Sequence, residues 1–301
     1  MAIAQGSSSK IGIVTETVWG TTPVTPAFTT VPVTDFSVNL SKDEFEDTSI
    51  QGDRMQRYSL SGNRTVTGDM SVLMAPINYD SLLESVVSGT WSTNVLKVGD
   101  TRKSFTVEHA QADIGVYIPY TGVVVDKASF SVNTTGVVTG QFSLVGKDCG
   151  VAAGSSLDAD GYAAATTALP FTHVSGTFNE GGSAIGLITS IQFTIDNGYS
   201  TNYALGNVGA RDLSGSFVKC EGTVSAYFES ATLLNKYLNG TSSSLDFTLS
   251  NGTNTLKVDF PNVKYTGASK SLSGSGPVVL SLPFKALYDS GSGSIVTITR
   301  T

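Results

Sequence analysis

The residue types that most often do chemistry in proteins are few in this chain, and they stand apart from one another. The two histidines, His109 and His173, stand alone, with no partner at a catalytic spacing. Cys149 and Cys220 lie far apart and form no CxxC pair. Cys220 falls on the apolar side of a predicted strand, so a buried free thiol is its expected state.

Three short stretches approach known site motifs but lack a defining residue. Gly146-Lys147-Asp148 has Asp where a phosphate-binding loop needs Ser or Thr, and neither a GxSxG elbow nor an HExxH helix occurs. Asp158-Ala159-Asp160-Gly161 begins like a calcium loop but has no acid at a fitting twelfth position, so a turn is expected. The acidic cluster at residues 43–47 could bind a cation, although a solvated or partner-facing loop is favoured. We predict that the chain is not an enzyme and uses neither metal nor cofactor.

Composition favours a β-rich structural protein. Of 301 residues, 40% are apolar and only 14% are charged, and the net charge is −7. Phosphate affinity comes from Lys and Arg, so this balance permits a surface that does not adhere to DNA. The 32 glycines punctuate short apolar runs, which is typical of an all-β class. No signal peptide and no membrane-spanning stretch are expected.

One strand-and-helix unit occurs twice in the chain. Residues 66–74 alternate apolar and polar, and residues 79–87 then carry one apolar stripe at helical spacing. Residues 220–228 and 233–238 repeat this pattern at offsets of 154 and 151. The pattern predicts two strands of the same parity, each followed by a short helix.

The correspondence continues on both sides of this unit. A strand predicted before this unit, within residues 34–40, has its counterpart at residues 191–195 with an offset of 155. After the helices an offset of 142 matches Phe142 with Phe284 and Ser131 with Ser273. Changes of offset fall in predicted loops, where length changes are well tolerated. We interpret the chain as a tandem duplication.

The repeat predicts five segments. They are an N-terminal arm (1–33), a first domain (34–149), an Ala- and Gly-rich linker (150–169), a second domain (170–289) and a C-terminal arm or strand (290–301). Each domain is expected to be mainly β with one short α-helix. The Ser- and Gly-rich start of the last segment predicts a flexible spacer before a short strand without an obvious partner.

Five stretches carry a resemblance to a known family: Glu16-Thr17-Val18-Trp19-Gly20-Thr21-Thr22-Pro23, Asp53-Arg54, Val66-Thr67-Gly68-Asp69, Tyr79-Asp80-Ser81-Leu82-Leu83-Glu84 and Gly89-Thr90-Trp91. The chain resembles the tail tube proteins of long-tailed, non-contractile bacteriophages, most clearly over residues 10–150 and, through the duplication, to about residue 289. The resemblance implies antiparallel β-sandwich or partial-barrel domains with a flanking helix. Six such domains close a ring, and rings stack into a tube that conducts double-stranded DNA.

This resemblance also implies a place and partners for the protein. A tail tube protein belongs to the virion tail, is assembled in the host cytoplasm, and meets other tail proteins at the tube ends. The usual member has one domain and forms hexamers, whereas this chain carries two. We therefore expect three chains per ring with alternating domains. The competing arrangement has six chains and places the second domain outside.

A lumen-facing set follows from strand parity, because the apolar faces must bury against the helices. The expected residues are Asp35, Ser37, Asn39, Thr67, Asp69, Ser71, Gln192, Thr194, Asp196, Glu221, Thr223 and Ser225. Acids and hydroxyls without Lys or Arg are expected to repel phosphate, so that DNA slides without being trapped.

Contacts between rings are expected from the long charged loop at residues 41–64, whose counterpart, residues 197–215, is nearly uncharged. The expected residues are Trp19, Asp43, Glu44, Asp53, Arg54 and Arg57, helped by the C-terminal strand at residues 295–298. The alternative is a mobile solvent loop.

Two other functions remain open. One is a two-domain Ig-like adhesin or virion fibre module. The other is a carbohydrate-active enzyme, which needs paired carboxylates in a cleft. The duplication disfavours the enzyme, since no acid pair recurs at equivalent positions.

Overall fold

Strands dominate the computed structural model, which describes residues 3–185, 188–271 and 275–301. The strands are β1 (Ser9–Thr15), β2 (Thr29–Thr30), β3 (Asp35–Phe36), β4 (Asn39–Glu46), β5 (Ser59–Leu73), β6 (Val95–Lys97), β7 (Phe105–Gln111), β8 (Val116–Asn133), β9 (Thr139–Gly146), β10 (Asp148–Cys149), β11 (Thr172–Glu180), β12 (Ser183–Ala184), β13 (Ile188–Asp196), β14 (Ser200–Asn202), β15 (Asp212–Ser214), β16 (Lys219–Tyr227), β17 (Ser243–Ser250), β18 (Thr255–Tyr265), β19 (Ser269–Ser271), β20 (Val279–Ala286) and β21 (Thr297–Arg300).

The remaining regular elements of the described residues are two short α-helices, α1 (Asp80–Val87) and α2 (Thr232–Leu238), and a 3₁₀ turn at Gly6–Ser8. Neither helix is long enough to cross a membrane. The mainly β prediction is therefore confirmed, including the position of both helices. Ser273, which the repeat matches with Ser131, lies outside the described residues.

An antiparallel sheet runs through both copies of the repeat. Its neighbouring strands are β4, β5, β9, β8, β13, β16 and β20, and β18 and β19 pair along the far edge of β20. β3 continues the β4 edge by pairing with β5. The first four strands come from the first copy (34–149) and the others from the second copy (170–289).

The pairing register tests the offsets predicted from the sequence. Asp35 pairs with Ser71 in the first copy, and Ser190 pairs with Ser225 in the second, as the offsets of 155 and 154 require. The offset of 142 is wrong by two, because Gly68 pairs with Leu144 whereas Gly222 pairs with Phe284, an offset of 140. A shift of two leaves every side chain on the same face, so apolar alternation could not reveal it.

The two copies are joined by direct strand pairing. β8, the outer strand of the first copy, pairs with β13, the first strand of the second, from Lys127–Asp196 to Asn133–Ser190. On the apolar side of this junction the rings of Phe130 and Phe193 stack at 5.0 Å. Phe193 also lies 5.7 Å from Phe247 and 5.3 Å from Phe260, so one core spans both copies.

The N-terminal segment contains a strand that pairs with the first copy. β1 pairs with β7 along its whole length, and Ile11, Ile13, Phe28 and Val31 are buried. Pro23, Pro26 and Pro32 all follow β1, so they do not interrupt it.

The segment predicted as a linker lies on the first copy. The Asp158 carboxylate accepts a hydrogen bond from the Phe28 amide at 2.8 Å, and the Tyr162 hydroxyl donates to the buried Glu108 at 2.5 Å. The Asp160 amide donates to Asp158 and Gly161 has φ +84°, which forms the predicted turn. Residues 150–169 are thus fixed by side-chain contacts.

The C-terminal strand has partners on both edges, contrary to prediction. β21 pairs with β18 of the second copy and with β6 of the first. Val296 and Ile298 are buried, and Ser294 ends a turn begun at Asp289 rather than a flexible spacer. This strand closes the join between the copies, and the contact of residues 295–298 with another ring stays a prediction.

Replacing Phe193 by Ala should lower the free energy of unfolding by about 3–5 kcal/mol, since the buried ring contacts aromatic side chains of both copies. Thermal unfolding monitored by calorimetry should still show one transition, because the core is shared. Phe45→Ala is the matched control: that ring is 59% exposed and its loss should change stability by less than about 0.5 kcal/mol. Two separate transitions, only one of them shifted, would contradict a shared core.

Candidate functional site

The polar face of the sheet forms a groove of about 970 Å³ that spans the junction between the copies. Strand alternation places its side chains opposite the apolar core. One row of cross-strand partners crosses seven strands through Asp35, Ser71, Gln141, Ser129, Thr194, Glu221 and Lys285. In this row the Ser129 and Thr194 hydroxyls meet at 3.0 Å across the junction.

The next row carries most of the charge. It runs through Asp69, Ser143, Lys127, Asp196 and Lys219. The Ser143 hydroxyl donates to the Asp69 carboxylate at 2.6 Å. Asp196 lies between Lys127 and Lys219, so positive and negative charges alternate from one strand to the next along this row.

The expectation of a face without Lys or Arg is wrong. Lys127, Lys219 and Lys285 lie on it, and the Lys285 ammonium is 2.9 Å from the Glu221 carboxylate. Both members of that pair are about half exposed, so solvent weakens their attraction. The two rows together carry four carboxylates and three lysines, which makes the face close to neutral rather than acidic.

Six of the predicted lumen residues line the groove: Ser71, Gln192, Thr194, Asp196, Glu221 and Thr223. The others extend the same face beyond it. Asp35 pairs with Ser71, Asn39 with Thr67, and Ser225 with Ser281. Ser37 donates its hydroxyl to the Asp69 carbonyl oxygen at 3.2 Å.

Sequence reasoning missed the groove residues of β8, β9 and β20. They are Lys127, Ser129, Ser131, Thr139, Gln141 and Lys285. Their alternation was visible, as in the sequence Lys127-Ala128-Ser129-Phe130-Ser131, but the neighbours of these strands were not known. The missing information was the strand order.

The predicted charged loop is mostly a β-hairpin. β4 and β5 pair up to Glu46 and Ser59, so only residues 47–58 are a loop. Apolar side chains stand in solvent along it, with Phe45 59%, Met55 69% and Ile50 98% exposed. A protruding hairpin with exposed apolar side chains is a candidate contact surface.

Hydrogen bonds organise the end of this hairpin. The Asp53 carboxylate contacts the Arg57 guanidinium and accepts from the Met55 amide at 2.9 Å. The Glu44 carboxylate accepts from the Ser59 hydroxyl, while Asp43 and Arg54 are exposed. Hydrogen bonds from the Ser49 hydroxyl and amide hold the pKa of Asp47 below its ordinary value.

This fold and surface coincide with a family match. A family model described as phage tail tube protein matches residues 6–286. The chain belongs to the phage tail tube protein family. It is therefore a structural component of the virion tail, and its family implies assembly with further copies and other tail proteins. No curated protein matches the chain.

In this tail tube protein, Trp19 is held inside the protomer. Its indole nitrogen donates to the Gly122 carbonyl oxygen at 3.0 Å. The Arg102 guanidinium and the Lys147 ammonium each lie 5.1 Å from its ring centroid. These contacts separate Trp19 from the other predicted inter-ring residues, all of which lie on the hairpin.

A buried carboxylate positions the segment that carries Trp19. Glu16 is 8% exposed and accepts hydrogen bonds from the Gly20 and Gly122 amides and from the hydroxyls of Ser104 and Thr106. Hydrogen bonds of this kind compensate for burying a charge. The conspicuous Glu16–Pro23 motif is therefore structural in this protomer.

The counterpart loop of the tail tube protein's second copy folds onto the first copy. The Arg64 amide donates to the Val208 carbonyl oxygen at 2.8 Å, and the Tyr199 amide donates to Asp126 at 2.6 Å. Asp212 lies 2.9 Å from Arg102. The pKa of Asp212 lies below its ordinary value, mainly because of the backbone hydrogen bond from Leu213 and secondly because of the side-chain hydrogen bond from Arg102. The two long loops thus differ: one secures the junction within the chain and the other protrudes.

The histidines and cysteines, which most often bind metals or act as nucleophiles, stand apart from the groove. Across residues 3–185, 188–271 and 275–301, no group of three or more His, Cys, Asp or Glu side chains could hold a metal. Cys220 is 1% exposed, and burial raises the pKa of its thiol. What the groove does present is a hydrated face of mixed charge.

Proposed function

We propose that three chains close a ring, that rings stack into the tail tube, and that the tube conducts double-stranded DNA during ejection without binding it specifically. Assembly takes place in the host cytoplasm, and other tail proteins meet the tube ends. The pairing of β8 with β13 carries this proposal. Within one chain, it is the same kind of strand-to-strand junction that the proposed ring needs between chains.

The outer strands of the sheet are suited to repeating that junction. β3 and β4 each pair with β5, and β19 pairs with β20. Within the described residues, none of these three strands has a second partner strand on its other edge. Unpaired edges favour association, and a closed ring removes them. The edge of β4 is the counterpart of β13, and the edge of β19 is the counterpart of β8.

Strand number supports a bore wide enough for a duplex. Eight strands per chain, from β4 to β19, lie side by side on this face, so three chains supply twenty-four. At about 4.8 Å per strand, twenty-four upright strands close a cylinder about 37 Å across at the backbone, and strand tilt widens it. Polar side chains then narrow the bore while leaving room for DNA.

The sheet disfavours the two competing arrangements. In a six-chain ring with an outward second copy, the groove face of β13, β16 and β20 would leave the bore, although it continues the face of the first copy residue by residue. An adhesin with two free-standing modules has no need of a sheet shared between them. Both alternatives leave the strand junction without a role.

Cysteine cross-linking tests the stoichiometry. Asn39 and Ser269 are the counterparts, by offsets of 155 and 140, of Thr194 and Ser129. In a Cys149→Ser background, oxidation of Asn39→Cys with Ser269→Cys should give covalent species of two and three chains and none larger. Denaturing gels and microscopy of threefold rings provide the measurement. Ser129→Cys with Thr194→Cys is the control, since that bond closes within one chain. A ladder reaching six chains, or rings that do not cross-link, would contradict the proposal.

Charge reversal tests the bore. Asp69→Lys with Glu221→Lys changes the two rows from four acids and three lysines to two acids and five lysines. Tubes should still form, but DNA ejection should slow because the bore now attracts phosphate, and added salt should restore the rate. Asp69→Asn with Glu221→Gln controls for the loss of the native hydrogen bonds. Wild-type ejection at low salt by the lysine variant would remove DNA passage along this face from the proposal.

Hairpin deletion tests stacking. Removing residues 43–56 takes away exposed side chains and should leave the melting temperature of the folded chain nearly unchanged. Rings should form without growing into tubes, because rim charges and apolar tips set the contact between rings. Negative-stain microscopy distinguishes single rings from tubes. Tubes of normal length from the deleted chain would show that the hairpin is only a solvent-exposed loop.

A further inference from the structure

We propose that the apolar face of α2 forms one half of the junction between neighbouring chains. The other half is the start of β4 of the next chain, around Leu40, which covers this face. This inference rests on the proposed ring, whose two kinds of junction it compares. The partner is a second copy of this chain.

The two helices are counterparts in sequence but differ in burial. In α1, Leu82, Leu83, Val86 and Val87 are at most 3% exposed. In α2 no residue is buried, although its apolar residues occur at the corresponding positions. Leu238, the counterpart of Val87, is 66% exposed. Leu233, Leu234 and Tyr237 are partly buried, so the part of this apolar face that lacks cover is centred on Leu238.

The second copy adds to the cover of α1, which packs mainly against β8 of the first copy. Asn197, which directly follows β13, donates its side-chain amide to the carbonyl oxygens of Val86 at 2.8 Å and Val125 at 3.1 Å. Leu83 lines a small internal cavity together with Phe193 of β13. The strand that pairs with β8 therefore contributes to the burial of α1.

α2 stands in the same relation to the free edge of the sheet. α1 packs against β8, and α2 packs against β18, which leads into the outer strand β19. A strand that joined the edge of β19 would lie beside α2, as β13 lies beside α1. No such strand is present in the described part of this chain.

The proposed covering strand also has unburied apolar side chains. In β13, Ile191, Phe193 and Ile195 are 0%, 4% and 0% exposed. Their counterparts are Phe36, Val38 and Leu40, of which Phe36 and Leu40 are only partly buried. Each half of the missing junction thus exposes apolar groups whose counterparts are buried, and bringing the halves together removes both from water.

Single substitutions on each half test this match. Leu238→Glu places a charge on α2, and Leu40→Glu places a charge on β4. Leu40→Ala is a milder second variant of the β4 half. Ring formation is followed at rising protein concentration by sedimentation and negative-stain microscopy, and folding by circular dichroism and melting. Leu169→Glu is the matched control, because Leu169 is 71% exposed outside the proposed junction.

We expect both glutamate variants to stay monomeric where the wild type and Leu169→Glu form rings. A mixture of the two variants should give dimers that do not grow, because only one intact junction can form between them. Rings from folded Leu238→Glu, or a mixture that stays monomeric, would overturn this inference while leaving the proposed function standing. A wild-type chain that remains monomeric at every concentration would overturn the proposed function itself.

Discussion

Backbone hydrogen bonding at the edges of the sheet is the constraint on which this structure depends. A β-strand at an edge presents unpaired amides and carbonyls, which either meet water or join another strand. The chain removes one pair of edges by bringing β8 against β13. The shared aromatic core and the continuous polar groove follow from that single pairing, which also adds to the burial of α1.

The duplication allows the two copies to differ where a one-domain subunit could not. In the proposed arrangement, a ring of identical domains would need every long loop both to secure its neighbour and to reach the next ring. Here the loop after β13 secures the junction through Tyr199, Val208 and Asp212, and the hairpin of β4 and β5 is free to protrude. The same asymmetry explains why charge is concentrated in one loop and sparse in the other.

Alternation within a strand and spacing within a helix were sufficient to predict the class, both helices and the polar face of four strands. They could not predict which strands are neighbours. The lysines at positions 127 and 285 were therefore missed, although each lies on a strand that was recognisable, whereas Lys219 was missed because β16 begins one residue before the predicted start of that strand. The offset of 140 escaped for a related reason, since apolar parity is unchanged by a shift of two. β1 and β21 were read as free ends because their partners, β7, β18 and β6, are distant in sequence.

In the proposed tube, mixed charge on the groove face has a physical advantage over the predicted face of acids and hydroxyls without Lys or Arg. A strongly acidic surface would repel phosphate but would also repel itself, since the same side chains would face each other across a closed bore. Alternating Asp196 with Lys127 and Lys219 lowers that repulsion within each chain. The lysines are held among carboxylates, so they offer no uninterrupted cationic path for a phosphate backbone to follow. In the proposed tube, low adhesion to DNA would then come from local neutralisation rather than from net negative charge.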